Sequence, residues 1–194
     1  MRRNARSAAE RVQGQVQQSR PGSSRESDPP VWVKPQLTEL VKQPPDGPDW
    51  FHEIKYDGYR IHARIDHGDV RLLTRTGLDW TRKYHPIAAA LKNLPVGTAY
   101  LDGELCAVRP DGTTSFSMIQ AASDSENADA LVLFSFDLLF LDGEDLTGLP
   151  LLERKARLAT VMSRVCSPRA VRGAPSASAE SQRSQALGEP SIRQ

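Results

Sequence analysis

The chain has 194 residues, with 25 Lys and Arg against 24 Asp and Glu, a net charge of +1 that looks electrically bland. The balance is uneven: Met1 to Pro30 carries six Arg against three acidic residues and Ser167 to Gln194 four Arg against two, while the segment between them is acidic and every Trp, Tyr and Phe lies between Trp32 and Phe140. No run approaches the roughly 18 to 20 apolar residues needed to span a bilayer, the Arg-bearing start lacks the apolar stretch of a secretion signal, and Cys106 and Cys166 alone make neither a disulfide framework nor a metal-spaced cluster, so no membrane is implied and a reducing, cytoplasmic setting is expected.

Hydrophobic burial drives folding, and the tails hold no aromatic residue to bury. Three segments follow: a basic tail or linker at 1–30 without stable structure, a folded unit at 31–166, and a second tail without structure at 167–194. Pro21 to Pro30 and Pro44 to Pro48 punctuate the chain as turn-rich polar stretches. From Trp50 to Asp66 apolar residues alternate at Ile54, Tyr56, Tyr59, Ile61, Ala63 and Ile65, the period of a strand, with a bend or bulge expected at Asp57-Gly58. Asp69 to Thr74 reads as the next strand, reached through a hairpin turn at His67-Gly68-Asp69. Helical spacing runs from Trp80 to Leu94 through Tyr84, Ile87, Ala88 and Leu91, and Pro95 stops it.

Thr98 to Val108 and Ala130 to Leu141 read as two further strands, each interrupted or ended by Asp-Gly. The second contains ALVLFSFDLLFL, too apolar for one wet face and so predicted to be central and covered on both sides. Short helices fit Phe116 to Ser123 and Pro150 to Val165, the latter with Pro at its start and apolar residues at Leu151, Leu152, Leu158, Val161 and Val165. Short strands with hairpin turns and interspersed helices give an α+β class with antiparallel sheet.

The chemistry concentrates in Glu53 to Arg60, EIKYDGYR. On a strand, side chains two apart share a face, so Glu53, Lys55 and Asp57 would project together, with Trp50, Phe51, Tyr56 and Tyr59 forming an aromatic surround for the lysine. A lysine between two carboxylates is ordinarily a solvated charge cluster. As a nucleophile an amine must be unprotonated, and adjacent carboxylates favour the charged form. A divalent cation held by those carboxylates reverses the local electrostatics and also binds phosphate, so phosphoryl or nucleotidyl transfer fits better than Schiff-base chemistry.

Lys55-Tyr56-Asp57-Gly58 resembles the KxDG signature of covalent nucleotidyltransferases, the superfamily of DNA ligases, RNA ligases and mRNA capping enzymes. LTRTG at Leu73 to Gly77, LDGEL at Leu101 to Leu105 and FSFDLL at Phe134 to Leu139 are similar to that superfamily's next boxes, in order. From KPQLTEL at Lys34, through LLTRTGLDWT and FSFDLLFLDG, to LPLLERKARL ending at Leu158, the chain resembles the ligase module of bacterial ligase D of non-homologous end joining.

The resemblance implies the DNA ligase/mRNA capping enzyme nucleotidyltransferase fold and an ATP-dependent DNA ligase that forms a covalent lysyl-AMP to seal nicks or ends in repair and recombination. It implies Lys55 as the nucleophile toward ATP, Glu53 beside the adenine pocket and Phe136 stacked on the base. Arg60 and Arg75 would contact ribose and phosphates, where a planar fork suits better than Lys. Glu104 would hold a ribose hydroxyl or Mg²⁺, and Asp57 would support the lysine and the metal. Nicked or broken duplex DNA, and end-joining proteins, are the implied partners. Taken singly, the arginines are ordinary surface residues, Phe136 a core aromatic and Asp102-Gly103 an ordinary turn. The four histidines have no metal spacing and read as surface or satisfied residues.

Past Leu158 the pattern is expected to end. The superfamily has a further glutamate box and a paired-lysine box, yet the last lysine here is Lys155 and the later acids, Glu180 and Glu189, are not followed by Gly. The expectation is a C-terminally truncated, incomplete adenylation domain that binds duplex DNA weakly and in a salt-sensitive manner. The alternatives are a catalytically dead remnant or nucleotide-binding module, and an RNA ligase or capping-type enzyme.

Overall fold

A computed structural model describes residues 27–37, 39–43, 47, 50, 52–124, 131–164 and 170–173. Among the described residues six strands form one sheet: β1 Tyr59–Asp66, β2 Asp69–Thr74, β3 Thr98–Ala107, β4 Leu131–Leu141, β5 Glu144–Asp145 and β6 Val171–Gly173. Three helices accompany them, α1 His85–Leu91, α2 Phe116–Asp124 and α3 Leu151–Ser163. The strand order is β2-β1-β3-β4-β5, every pair antiparallel, and β6 joins β4 in parallel. This is the expected α+β architecture.

Alternation decides the two faces. Ile61, Ala63 and Ile65 of β1 and Leu101 and Leu105 of β3 are almost fully buried in a core that also takes Tyr84, Ile87 and Leu91 of the first helical region and Leu158 and Val161 of α3. The side chains between them on β1, Arg60, His62 and Arg64, belong to the opposite face, opposite Glu104, Asp102 and Tyr100 of β3. That second face carries the polar and aromatic residues. The β1–β2 hairpin turns at His67 and Gly68, with φ of 48° and 86°, the two left-handed positions that a tight turn matched to strand twist requires.

Most expected elements are found within a few residues. The helix read over Trp80 to Leu94 is shorter: turns occupy 81–84 and regular helix spans only His85 to Leu91. Pro86 is suited to a first turn, and the buried positions keep the predicted spacing through Tyr84, Ile87, Ala88, Leu91 and Leu94. Leu131 to Ser135 of β4 are buried without alternation, as expected of a strand covered on both faces. On α3, Leu151 and Leu152 are exposed, so the buried stripe is narrower than its apolar content.

Two expectations are corrected. His52 to Asp57 is not the start of a continuous strand: it holds one isolated bridge, at Glu53, and the ladder begins at Tyr59 after a bend at Gly58. Gly58 explains the change, because a Cβ there would lie 2.3 Å from the Leu105 carbonyl oxygen and 2.8 Å from Cys106 Sγ. The chain crosses the face of β3 at that point instead of lying beside it. The tails, in turn, are not wholly without structure. Val171 to Gly173 pair with Leu133 to Ser135, and Val171 is buried, because the edge of β4 offers backbone groups that need partners. At the other end, Pro29 is buried, the Pro29 and Pro30 carbonyls accept hydrogen bonds from Arg64, and Val33 N–H donates to the Tyr100 hydroxyl at 3.0 Å. Tail residues 1–26, 167–169 and 174–194, together with Pro44 to Asp46, Pro48, Phe51 and Val165, lie outside the described residues.

Candidate active site

The segment from His52 to Asp57 carries Lys55 across the polar face without strand pairing at Lys55 itself. Side chains at both of its ends hold it. Asp57 N–H donates to Thr114 Oγ1 at 3.0 Å, and Asp57 Oδ2 accepts from the Phe116 N–H, the first residue of α2, at 3.1 Å. Glu53 pairs with Lys155 of α3, whose ammonium also donates to the Phe136 carbonyl at 2.7 Å. Glu53 therefore turns toward α3 while Asp57 turns toward α2, and the expected common projection of Glu53, Lys55 and Asp57 is not observed. A strand's alternation does not govern a segment without a ladder.

Lys55 and Asp57 open onto one cavity of about 770 Å³, shared with Tyr56, Thr113, Phe134 and Arg172. Tyr56 stacks on Phe134 with ring centroids 4.3 Å apart and planes 10° from parallel. The aromatic surround expected around Lys55 is thus differently composed. Trp50 is exposed, and Tyr59 points away to meet Trp80 and Phe116 edge-on at 5.3 and 4.9 Å. Phe134, from a distant strand, is the aromatic beside Tyr56.

Arg60, Arg75 and Glu104 line a second cavity of about 540 Å³ with Gly58, Trp80 and Phe116. Arg75 is exposed, just past β2. Arg60 makes a bidentate pair with Asp102, both contacts 2.6 Å, and its guanidinium lies 4.5 Å from the centre of the Phe136 ring. Asp102-Gly103 is accordingly not a turn but part of β3, where the register against β4 shifts. Burial would raise the Asp102 carboxyl, but contacts from His62 and Arg60 outweigh it and hold it below the usual carboxylate range. Glu104 moves the other way: burial raises it, with Arg60 and Lys55 opposing in part.

The sequence-named residues fall into two groups joined at Gly58 and Glu104. Lys55 and Asp57 share one cavity, Arg60, Arg75 and Glu104 the other, Phe136 sits under Arg60, and Glu53 is turned to α3. Among the described residues no group of three or more His, Cys, Asp or Glu could hold a metal ion. His62 is fully buried, with Nδ1 2.9 Å from the Tyr100 hydroxyl and Nε2 3.2 Å from Asp102 Oδ1, a contact without hydrogen-bond geometry, so only one of its ring nitrogens is satisfied. Sequence reading missed Asp102, Thr114, Lys155 and Arg172. Asp102 lay within the LDGEL box but read as a turn, and Lys155 lay three residues before Leu158 on a helix with one apolar stripe, which tells nothing of its partners.

Residues 33–186 match the family described as ATP dependent DNA ligase domain, a span that continues past Leu158. The multifunctional non-homologous end joining protein LigD of Pseudomonas aeruginosa is 41% identical over 133 residues, which are 69% of this chain and 16% of that protein. A DNA ligase of Pyrobaculum calidifontis is 32% identical over 166 residues, 78% of this chain and 28% of that one. The chain thus spans well under a third of the length of these relatives. Among solved structures, the ligase domain of Mycobacterium tuberculosis LigD superposes with a TM-score of 0.53 at 29% identity, over 71% of this chain and 45% of that one. A mycobacterial DNA ligase D complexed with ATP and MES gives a TM-score of 0.52 at 28% identity, over 71% of this chain and 44% of that one. A KxDG lysine carried across a sheet face, charged and aromatic residues beneath it, and a family match over most of the length agree: this chain belongs to the ATP-dependent DNA ligase domain family.

Proposed function

We propose that the chain carries out the self-adenylation step of a DNA ligase, with Lys55 as the nucleophile. The unprotonated Lys55 Nζ attacks the α-phosphorus of ATP and a P–N bond forms. The bond from that phosphorus to the bridging oxygen breaks, pyrophosphate leaves with the electron pair, and the amine proton passes to solvent. The observation that carries this reading is the opening of Lys55 and Asp57 of the KxDG motif onto one cavity, about 770 Å³, in the size range of small-molecule sites.

In this reading Phe136 and Glu53 serve the adenine, Arg60 and Arg75 the ribose and phosphates, and Glu104 a ribose hydroxyl or the metal. Mg²⁺ asks for one or two carboxylates and completes its shell with waters and substrate phosphates; Asp57 beside Lys55, or Glu104 in the neighbouring cavity, would supply one. When bound, it neutralises charge on the phosphates. The chain's own contribution is placement: holding the segment that carries Lys55 through the ties at Glu53 and Asp57. Nicked or broken duplex DNA is the proposed acceptor for the whole protein, in the end-joining setting of its LigD relatives.

Incubation with α-labelled ATP and Mg²⁺ tests this. Acid-labile label on the protein, absent in Lys55→Ala, is the expected outcome. No label on the unaltered chain would favour a nucleotide-binding module without transfer. Label from GTP in preference to ATP would point to capping-type chemistry.

A further inference from the structure

The edge of β4 away from β3 is covered in two pieces. Leu133 to Ser135 pair with β6, and Phe140 and Leu141 pair with β5. Between them the Phe136 carbonyl takes its hydrogen bond from the Lys155 ammonium, at 2.7 Å. The same ammonium pairs with the Glu53 carboxylate, and its side chain is only 13% exposed. One lysine from α3 thus closes a gap in the sheet edge and ties down the segment that carries Lys55. Arg154, its neighbour, fixes α3 independently by a bidentate pair with Asp137, both contacts 2.9 Å. Lys155 is therefore not needed as the helix's own anchor.

We propose that Lys155 is a positioning residue for nucleotide transfer: through Glu53 it holds the Lys55 segment at the correct height over β4 and orients the Glu53 carboxylate toward the base. The proposal rests on the assignment of Lys55 and Glu53 to ATP made above. A carboxylate with one oxygen held by an ammonium has its other oxygen aimed. In that state it accepts a hydrogen bond from the exocyclic amine at C6 of adenine, a position where guanine has a carbonyl oxygen instead. Positioning and base choice would then depend on one contact. The far end of the segment is tied through Asp57 to α2, so release at Lys155 frees one end only.

The test uses the full chain with Lys155→Met, which keeps the stem, Lys155→Arg, which keeps the charge, and the exchange of charges Glu53→Lys with Lys155→Glu. Two measurements are made, amide hydrogen exchange and labelling from α-labelled ATP or GTP. In Lys155→Met, exchange over 52–57 is expected to rise about tenfold, the size a single charge-assisted hydrogen bond supports, with β1, β3 and the α3 amides unchanged. The ATP needed for half-maximal labelling rises by a similar factor, and the preference for ATP over GTP narrows. Lys155→Arg restores both. The exchanged pair restores protection of 52–57 but not labelling from ATP, because its residue 53 no longer accepts from adenine. Unchanged exchange over 52–57 in Lys155→Met, or equal loosening of the whole sheet, would overturn the proposal. Absence of label from the unaltered chain would instead count against Lys55 as nucleophile, and the exchange arms would still decide the positioning role.

Discussion

At the scale of residues, the site face is organised by one buried carboxylate. Asp102 is 5% exposed, takes both guanidinium contacts of Arg60 and lies 3.2 Å from His62 Nε2. Its carboxyl in the folded chain titrates below its ordinary value of 3.8. A depressed carboxyl contributes stability that is fully present above the unfolded value and is lost as pH falls through the folded one. Wild type and Asp102→Asn should therefore differ in stability at neutral pH, and the gap should close as pH drops below 3.8. Urea titrations across that range check it, and a constant gap would remove Asp102 from the account. Glu104 has the opposite sign: its raised carboxyl favours the folded state at low pH, and that contribution fades as pH rises through the raised value. The charge pattern of EIKYDGYR was legible as chemistry, but its partners were not, because Asp102, Phe136 and Lys155 arrive from β3, β4 and α3.

At the scale of elements, the crossing of the 52–58 segment over β3 controls the site. Gly58 permits it, and any side chain there collides with backbone at the Leu105 carbonyl, which cannot swing away as a flexible side chain can. Gly58→Ala should cost about 1–3 kcal/mol, in the range of overpacking a close contact. Chemical denaturation measures this, and a variant within about 0.5 kcal/mol of wild type, as at ordinary surface sites, would show that the close approach is relaxed in solution. The strands were readable where a turn bounded them, as at His67-Gly68, and where burial on both faces removed alternation, as in β4. The segment before Gly58 misled because a period of two also fits an extended chain that forms an isolated bridge, at Glu53, and no continuous ladder. The missed β6 has only three residues and one buried side chain, too short for any period to register.

At the scale of the whole molecule, charge divides the chain more sharply than its net value does. The segment between Pro30 and Ser167 holds 15 basic and 19 acidic side chains, while both ends are basic. An acidic body opposes the phosphate backbone of DNA, and contacts confined to a few arginines release few counterions. Duplex binding by this chain should be weak and should fall further between about 50 and 200 mM salt. Tight binding that salt leaves unchanged, measured by anisotropy with a nicked duplex, would contradict this and require a contact surface outside the charge balance. Among the described residues no helix is long and apolar enough to cross a membrane.

The sequence by itself determined the α+β class, the positions of most strands and helices, and the ligase-like order of KYDG, LTRTG, LDGEL and FSFDLL, because these rest on local periods and spacings along the chain. Tertiary structure alone decided that Glu53 faces Lys155, that Asp57 caps the start of α2, that Arg60 lies between Asp102 and Phe136, and that residues beyond Ser167 supply an edge strand and Arg172. Each of those contacts joins residues 40 or more positions apart or depends on a backbone edge. Such pairings are set by how the sheet stacks its strands, which no local pattern of side chains encodes.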